Sequence, residues 1–402
     1  LKNNLIIINS SPYEDIVKKG VSHTYEDYLE GGYFNHIHFI CPFSRKSNSN
    51  RYSENITVSQ YGWETGITLF DNIPYIKYLL ALKCLFFGLS NTLKIINLEK
   101  PSVIRSTDPY LLGFFGFLIS KLTNKKFVVS VHADYDIGSE LNGFTFKLFG
   151  SRWIAKILEK FILSHADAIF PIRMHLKNKI LSSQPELACK IAVFNHSIDL
   201  VNFDNIKYIS IKDLFLIPAE KKIISFAGRL SNENFIFDHL ELLKRIIATR
   251  DDVMLVMIGS GELYDELVGW VDSSDLKKFV VLAGFQPNEV VINLRKQSNI
   301  SLCLMGGYSL LEACAAKSPV VTYDVDWHGE LIENDKTGFI FRMGDVDGMA
   351  NAVNEILEKP AVAKILAANS RLRVVENYSR EVVVKKKVFA YNQIINSGSE
   401  NI

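Results

Sequence analysis

The chain has 402 residues, 48% of them hydrophobic and 22% charged, with a formal net charge of +1. That balance excludes a disordered chain, and no basic patch with interleaved aromatics points to nucleic acid. The length exceeds what one hydrophobic core ordinarily organises, so two domains are expected.

The first half reads as alternating strand and helix. Short β-rich apolar runs at Leu5–Ile8, Ile37–Ile40, Val103–Arg105, Phe127–Val131, Ala168–Pro171 and Lys190–Phe194 predict buried strands. Longer segments at Ile73–Leu89, Leu111–Leu122 and Phe149–Ser164 predict helices between them. No secretory signal is read at the start, and the longest apolar stretches, near Tyr78–Leu89 and Leu111–Ile119, are interrupted or too short to span a bilayer. The cysteines, Cys41, Cys84, Cys189, Cys303 and Cys314, follow neither zinc nor disulfide spacing. Buried free thiols in a reducing compartment are the expectation.

The pattern then restarts. Strands are predicted at Lys222–Phe226, Val253–Ile258, Phe279–Leu282, Ser301–Leu304 and Val320–Tyr323, and helices at His239–Ala248 and Leu310–Ala316. Four of these strands end in glycine turns: Gly228, Gly259-Ser260-Gly261, Gly284 and Gly306-Gly307. Strand, glycine turn and helix in repetition is the rhythm of a doubly wound sheet, whose ligands sit beyond the carboxyl ends of the strands. The fold class is therefore α/β. The domains are expected at 1–205 and 206–378, with a final helix at 379–402.

Several residues at those strand ends could carry chemistry. Gly228 lets the chain approach a ligand closely, and Arg229 offers a planar fork of donors suited to phosphate oxygens; a surface salt bridge is the plainer reading. Gly306 and Gly307, before the helix that takes in Ser309, could expose backbone N–H groups to an anion or simply form a tight turn. Glu312 lies in an apolar helix, where a carboxylate must either accept hydrogen bonds, for instance from sugar hydroxyls, or face solvent. His132 follows a strand, with Asp134 and Asp136 nearby. It could serve a cleft, pack structurally, or join those aspartates around a metal. His328, Gly329 and Glu330 form a loop that could touch a sugar or phosphate, with Trp327 packing beside it.

The second half resembles the retaining glycosyltransferases of family 4, which have the GT-B architecture. The resemblance rests on FAGRLSNENF at 226–235, VMIGSGEL at 256–263, VLAGF at 281–285, LLEACAAKSPVVTYD at 310–324 and TGFIFRMGDVDGMANAV at 337–353. The first half matches more loosely, through VSVHADYD at 129–136 and VFNHSIDLVNF at 193–203. The resemblance implies two Rossmann-like domains facing a central cleft, the first for the acceptor and the second for a nucleotide sugar. It also implies that the last helices cross back to brace the first domain.

In such a protein Arg229 would bind the donor diphosphate and Glu312 the ribose. Gly228, Gly259, Gly261, Gly306, Gly307, Tyr308 and Ser309 would line the same donor site, with Gly20 in the first-domain glycine loop. His132 would lie near the transferred sugar, Asp134 and Asp136 on the acceptor side, and His328 and Glu330 near the sugar. Two positions depart from the family pattern. Asn234 stands where a second phosphate-binding lysine is usual, and Leu304 where a first glutamate usually holds the sugar.

The implied reaction is retaining transfer from a nucleoside-diphosphate sugar, UDP-linked by family habit, to a glycan or lipid-linked glycan in cell-envelope synthesis. The leaving phosphate would take the acceptor's proton, so neither metal nor cofactor is expected. The positive excess in the first half and the apolar segment Tyr75–Leu89 suggest peripheral contact of a cytoplasmic protein with an anionic inner membrane face. The alternatives are a sugar epimerase or phosphorylase on the same fold, and a catalytically silent sugar- or nucleotide-binding protein.

Overall fold

In the computed structural model of the chain, the residues described are 3–18, 22–44, 46–62, 74–132, 152–305 and 307–396. The chain divides into two compact units. One is Leu1–Asn195 with Val384–Ile402, the other His196–Val383. The first boundary thus falls about ten residues before the expected 205. The reason is local: Ile198 pairs with Ser379 in an isolated parallel bridge, so the segment after Asn195 is already fastened to the second unit. The final stretch, from Val384, groups with the first unit.

The described strands of the first unit are β1 (Asn4–Ile8), β2 (His36–Ser44), β3 (Asn48–Ser53), β4 (Ile56–Gly62), β5 (Val103–Ser106), β6 (Lys126–Val131) and β7 (Ala168–Pro171). They form one sheet in the order β3-β4-β2-β1-β5-β6-β7, parallel except for the antiparallel edge pair β3–β4. Leu5, Ile6, Ile7 and Ile8 have no exposed surface, as a parallel strand covered on both faces requires. The helix Leu111–Thr123 stops at Asn124, which adopts the left-handed conformation (φ 53°) and lets the chain turn into β6.

Lys190–Phe194 does not form the expected strand. Pro185–Lys190 is a 3₁₀ turn, and the following residues make only single hydrogen bonds along β7, through the N–H groups of Ala192 and Phe194. Cys41, Cys303 and Cys314 are buried free thiols, whereas Cys189 is exposed.

The C-terminal helix Arg380–Asn396 enters the first unit's core through Tyr391, which packs edge-on against Phe34 and Phe170. Its hydroxyl accepts from Arg105 Nη1 at 3.0 Å, and Arg105 Nε donates to Ser130 Oγ at 2.7 Å. Glu30, itself buried, lies 3.1 Å from Lys387 Nζ and 3.9 Å from Arg105 Nη1. A buried cation is tolerated because acid, hydroxyl and ring faces surround it.

The described strands of the second unit are β8 (Lys222–Ala227), β9 (Val253–Ile258), β10 (Val280–Leu282), β11 (Ile300–Leu302), β12 (Val320–Tyr323) and β13 (Phe339–Phe341). They form an all-parallel sheet in the order β10-β9-β8-β11-β12-β13. Counted from β8, that is the 3-2-1-4-5-6 order of a Rossmann fold. No helix among the described residues is long and apolar enough to cross a membrane.

Candidate active site

In the second sheet the strand order reverses between the neighbours β8 and β11. Chains leaving those two strands turn to opposite faces and leave a crevice at their carboxyl ends. A pocket of about 410 Å³ lies there, lined among others by Gly228, Arg229, Gly259, Arg295, Ser309 and Glu312. Its walls also include Tyr308, Ser260, Phe285 and Gln286.

The glycines are there because the loops touch. A Cβ on Gly259, whose φ is +153°, would sit 1.8 Å from the Gly228 carbonyl oxygen. A Cβ on Gly261 would sit 2.2 Å from the Leu230 carbonyl oxygen. That contact is sealed by hydrogen bonds from Gly228 N to Ile258 O and from Leu230 N to Ser260 O, each 3.0 Å. The loops after β8 and β9 are therefore one rigid ledge, and it presents Arg229. The Arg229 side chain is exposed, with no ion-pair partner among the described residues. Asn234 braces the same loop from behind: its Nδ2 donates to the Arg229 carbonyl at 2.7 Å.

The opposite wall comes from the helix Tyr308–Ala315, which starts at Gly307 with φ at +46°. Leu310, Leu311, Ala313, Cys314 and Ala315 are buried, and Glu312, with a side chain 14% exposed, is the helix's acid at the pocket. Arg295, fully buried in the helix Asn288–Gln297, lies 3.2 Å from Glu312 through Nε and donates to Ser309 Oγ at 2.6 Å through Nη2. Ser309 Oγ in turn donates to Ala227 O at 2.8 Å. Burial raises the Glu312 carboxyl above its usual range, with the Arg295 guanidinium pulling the other way. Arg295 was not picked out from the sequence. The signal was there, a charge four residues beyond Val291 on a helix whose neighbouring positions are apolar.

Leu304 has no exposed surface and belongs to the core, so the position is structurally apolar. His328 does not join the pocket, contrary to expectation. It is fully buried, and its Nδ1 lies 2.6 Å from Thr322 Oγ1 and 2.9 Å from Tyr323 O. The loop there folds into the short helix His328–Leu331 and turns the ring inward. Glu330 is half-buried and likewise away from the pocket lining.

The first sheet reverses between β1 and β5, and a second pocket, of about 310 Å³, lies at that point. His132, just after β6, lines it together with Asn9, Ser10, Thr107 and Asp108. Asp108 was not anticipated. Its Oδ1 accepts from Tyr110 N at 2.8 Å, and burial pushes its carboxyl up to about 6. Gly20, Asp134, Asp136 and Gly306 lie outside the described residues.

Residues 209–373 match the family described as "Glycosyl transferases group 1". The chain is 24% identical over 375 residues to the capsular polysaccharide biosynthesis glycosyltransferase CapM of Staphylococcus aureus, covering 88% of this chain and 92% of that one. It is 24% identical over 324 residues to the Escherichia coli UDP-Gal:alpha-D-GlcNAc-diphosphoundecaprenol alpha-1,3-galactosyltransferase, covering 78% of this chain and 79% of that one. These likenesses support a member of the glycosyltransferase superfamily. Among solved structures, Anabaena HepE in complex with UDP superposes with a TM-score of 0.71 at 13% identity, covering 98% of this chain and 100% of that one. At that identity the likeness shows the fold, which is GT-B: two Rossmann-like units in one chain.

Proposed function

We propose that the protein is a retaining glycosyltransferase of family 4. It moves a sugar from a UDP-sugar to a glycan or lipid-linked glycan acceptor in cell-envelope polysaccharide synthesis. One observation carries the reading: the switch-point pocket of the second unit holds an exposed arginine on a glycine ledge at one wall and a buried, arginine-paired glutamate at the other. An exposed cation and a helix N-terminus suit a diphosphate; a buried carboxylate suits a diol such as ribose. The volume is that of a small-ligand site. UDP is favoured because HepE was solved with UDP and because UDP-Gal stands in the name of the Escherichia coli relative.

In this mechanism Arg229 and the N–H groups at the start of the helix Tyr308–Ala315 stabilise charge on the departing diphosphate. Glu312 accepts hydrogen bonds from the ribose, and Arg295, 3.2 Å away, holds it in place and opposes the effect of burial on its carboxyl. With its partner fixed, Glu312 is no nucleophile, and the leaving phosphate takes the acceptor's proton. The His132 pocket of the first unit receives the acceptor side. Peripheral contact with an anionic membrane belongs to the same reading. The helix Arg152–His165 exposes Trp153, Ile154, Ile157 and Phe161, and the same helix carries Lys156 and Lys160.

The test is a panel of UDP- and GDP-sugars screened for thermal stabilisation, followed by NMR of the product formed from the best binder. Stabilisation by UDP-sugars and an axial-to-axial transfer support the proposal; an inverted anomer rejects the retaining assignment, and no stabilisation by any nucleotide sugar rejects the donor site. A silent nucleotide-binding protein is the second reading, favoured by the apolar Leu304. Stabilisation without turnover of any donor would select it.

A further inference from the structure

The first unit carries, at the end of its sheet away from the His132 pocket, a cluster that the transferase reading does not use. His36 and His38 lie two residues apart on β2 and so face the same side of the sheet. Glu99, the last residue of the helix Pro74–Glu99, meets them there. His38 Nδ1 is 2.7 Å and His36 Nε2 is 3.7 Å from Glu99 Oε1. Among the described residues these three offer one ligand atom each within 4.8 Å of one another. Three donors held about 2.1 Å from a common ion stand roughly 3.4 Å apart in a tetrahedral site, so small side-chain shifts close the cluster on one cation.

We propose that His36, His38 and Glu99 bind a divalent cation of the zinc class. Two imidazoles and a carboxylate are a donor set of intermediate softness that suits Zn²⁺ and not Mg²⁺ or Ca²⁺. The surroundings fit an outer shell. His38 Nε2 lies 2.8 Å from Ser59 Oγ, which is 2.9 Å from Ser49 Oγ. With Nδ1 on a metal, Nε2 carries the proton and donates to Ser59, the arrangement that orients ligating histidines. Glu99 Oε2 is buried without a hydrogen-bond partner, an acceptor atom that a cation would satisfy. The Glu99 carbonyl is fixed by Asn4 Nδ2 at 2.7 Å. Arg51, the neighbouring cation, donates to the carbonyls of Ser53 and Glu54.

The ion would tie the end of a long helix to β2 at the amino-terminal edge of a parallel sheet, where it stabilises and does not meet substrate. His36 and Glu99 side chains are each about a quarter exposed, which leaves an entry path.

The experiment uses the tag-free full chain carrying Cys189→Ser, which removes the exposed thiol as a competing ligand. Metal is stripped with chelator, and Zn²⁺ is titrated by calorimetry, with Co²⁺ followed by its visible absorption. The expected result is one ion per chain, a tetrahedral Co²⁺ spectrum, and a Tm raised by about 5 °C at a hundredfold excess over the dissociation constant. His36→Gln keeps the fold, checked by circular dichroism, and weakens Zn²⁺ binding more than 100-fold; Ser59→Ala weakens it about 10- to 100-fold. Absence of saturable uptake, or equal affinity in the parent and His36→Gln, overturns the proposal. Neither outcome depends on nucleotide binding, so the donor-site reading stands or falls separately.

Discussion

Arg229→Ala separates a binding role from a structural one. The side chain is exposed and has no ion-pair partner among the described residues, so its removal should change folding stability by no more than about 0.5 kcal/mol. Against a bound diphosphate the same side chain makes charge-assisted hydrogen bonds, each contributing about 1.5–3 kcal/mol. Loss of one such bond corresponds to roughly 10- to 150-fold in UDP affinity, the least effect expected, since 1.4 kcal/mol is a factor of ten. Isothermal calorimetry with UDP, at fixed ionic strength, reads the affinity, and urea unfolding of the unliganded protein reads the stability. Arg229→Lys should recover part of the loss, because it keeps the charge and gives up the fork. Unchanged UDP affinity in Arg229→Ala would refute the assignment of the ledge as the phosphate site. A large stability loss would show that the side chain acts in the fold instead.

Arg295→Met leaves Glu312 buried without its partner and should destabilise the chain by about 3–5 kcal/mol in urea, while Arg295→Met with Glu312→Leu should recover much of that loss. Gly259→Ala drives a Cβ into the Gly228 carbonyl and should lower stability by about 1–3 kcal/mol and weaken UDP binding; Gly269→Ala, in open space on the helix Tyr264–Asp272, is the neutral control. Asp108 titrates near 6 in the folded chain against 3.8 when unfolded, so the folded state holds the proton longer, and its contribution to stability falls as pH rises from about 4 to 6. His239, buried and lowered to about 4, contributes the opposite slope over the same interval, so Asp108→Asn should unmask a stability that rises with pH in urea melts between those values. Trp153→Glu with Phe161→Glu should abolish co-sedimentation with anionic liposomes without altering UDP affinity; undiminished co-sedimentation would exclude that helix as the contact.

The parts of the fold legible in the sequence are those where burial is symmetrical. β1 from Leu5 and β9 are covered on both faces and read as unbroken apolar runs followed by a turn, and β8 and β12 interrupt such a run only with one buried hydroxyl residue each, Ser225 and Thr322. The strands missed are the ones where that condition fails. β3, with sequence NSNRYS, is a polar edge strand held by its antiparallel partner β4, whose own sequence alternates weakly. β13 has only three residues and pairs on one side with β12. Lys190–Phe194 shows the converse error: an apolar run of strand length that runs beside β7 without forming a ladder. Among the candidate residues, a position after a strand falls at the pocket where a glycine keeps the chain at the strand end, as at Gly228 and Gly259. It failed at His328, where no such turn intervenes and a short helix carries the ring into the core.

The two departures from the family pattern have different physical meanings once their surroundings are known. Leu304 sits in a core that includes Ile224, Phe226 and Tyr323. A carboxylate there would need partners that this core does not offer, so the apolar residue and its neighbours form one consistent packing solution. Asn234 is different: a lysine could not supply the short neutral brace that its amide gives the Arg229 carbonyl, but neither could an amide supply the lysine's charge. The loop backbone at Arg229 is therefore braced, and the pocket has one positive charge fewer at this position. On the proposed donor site, charge stabilisation of a departing diphosphate would rest on one guanidinium and on the backbone N–H groups at the start of the helix Tyr308–Ala315. Those groups need no reorganisation when charge develops, which is the condition under which a few fixed dipoles can replace a mobile cation.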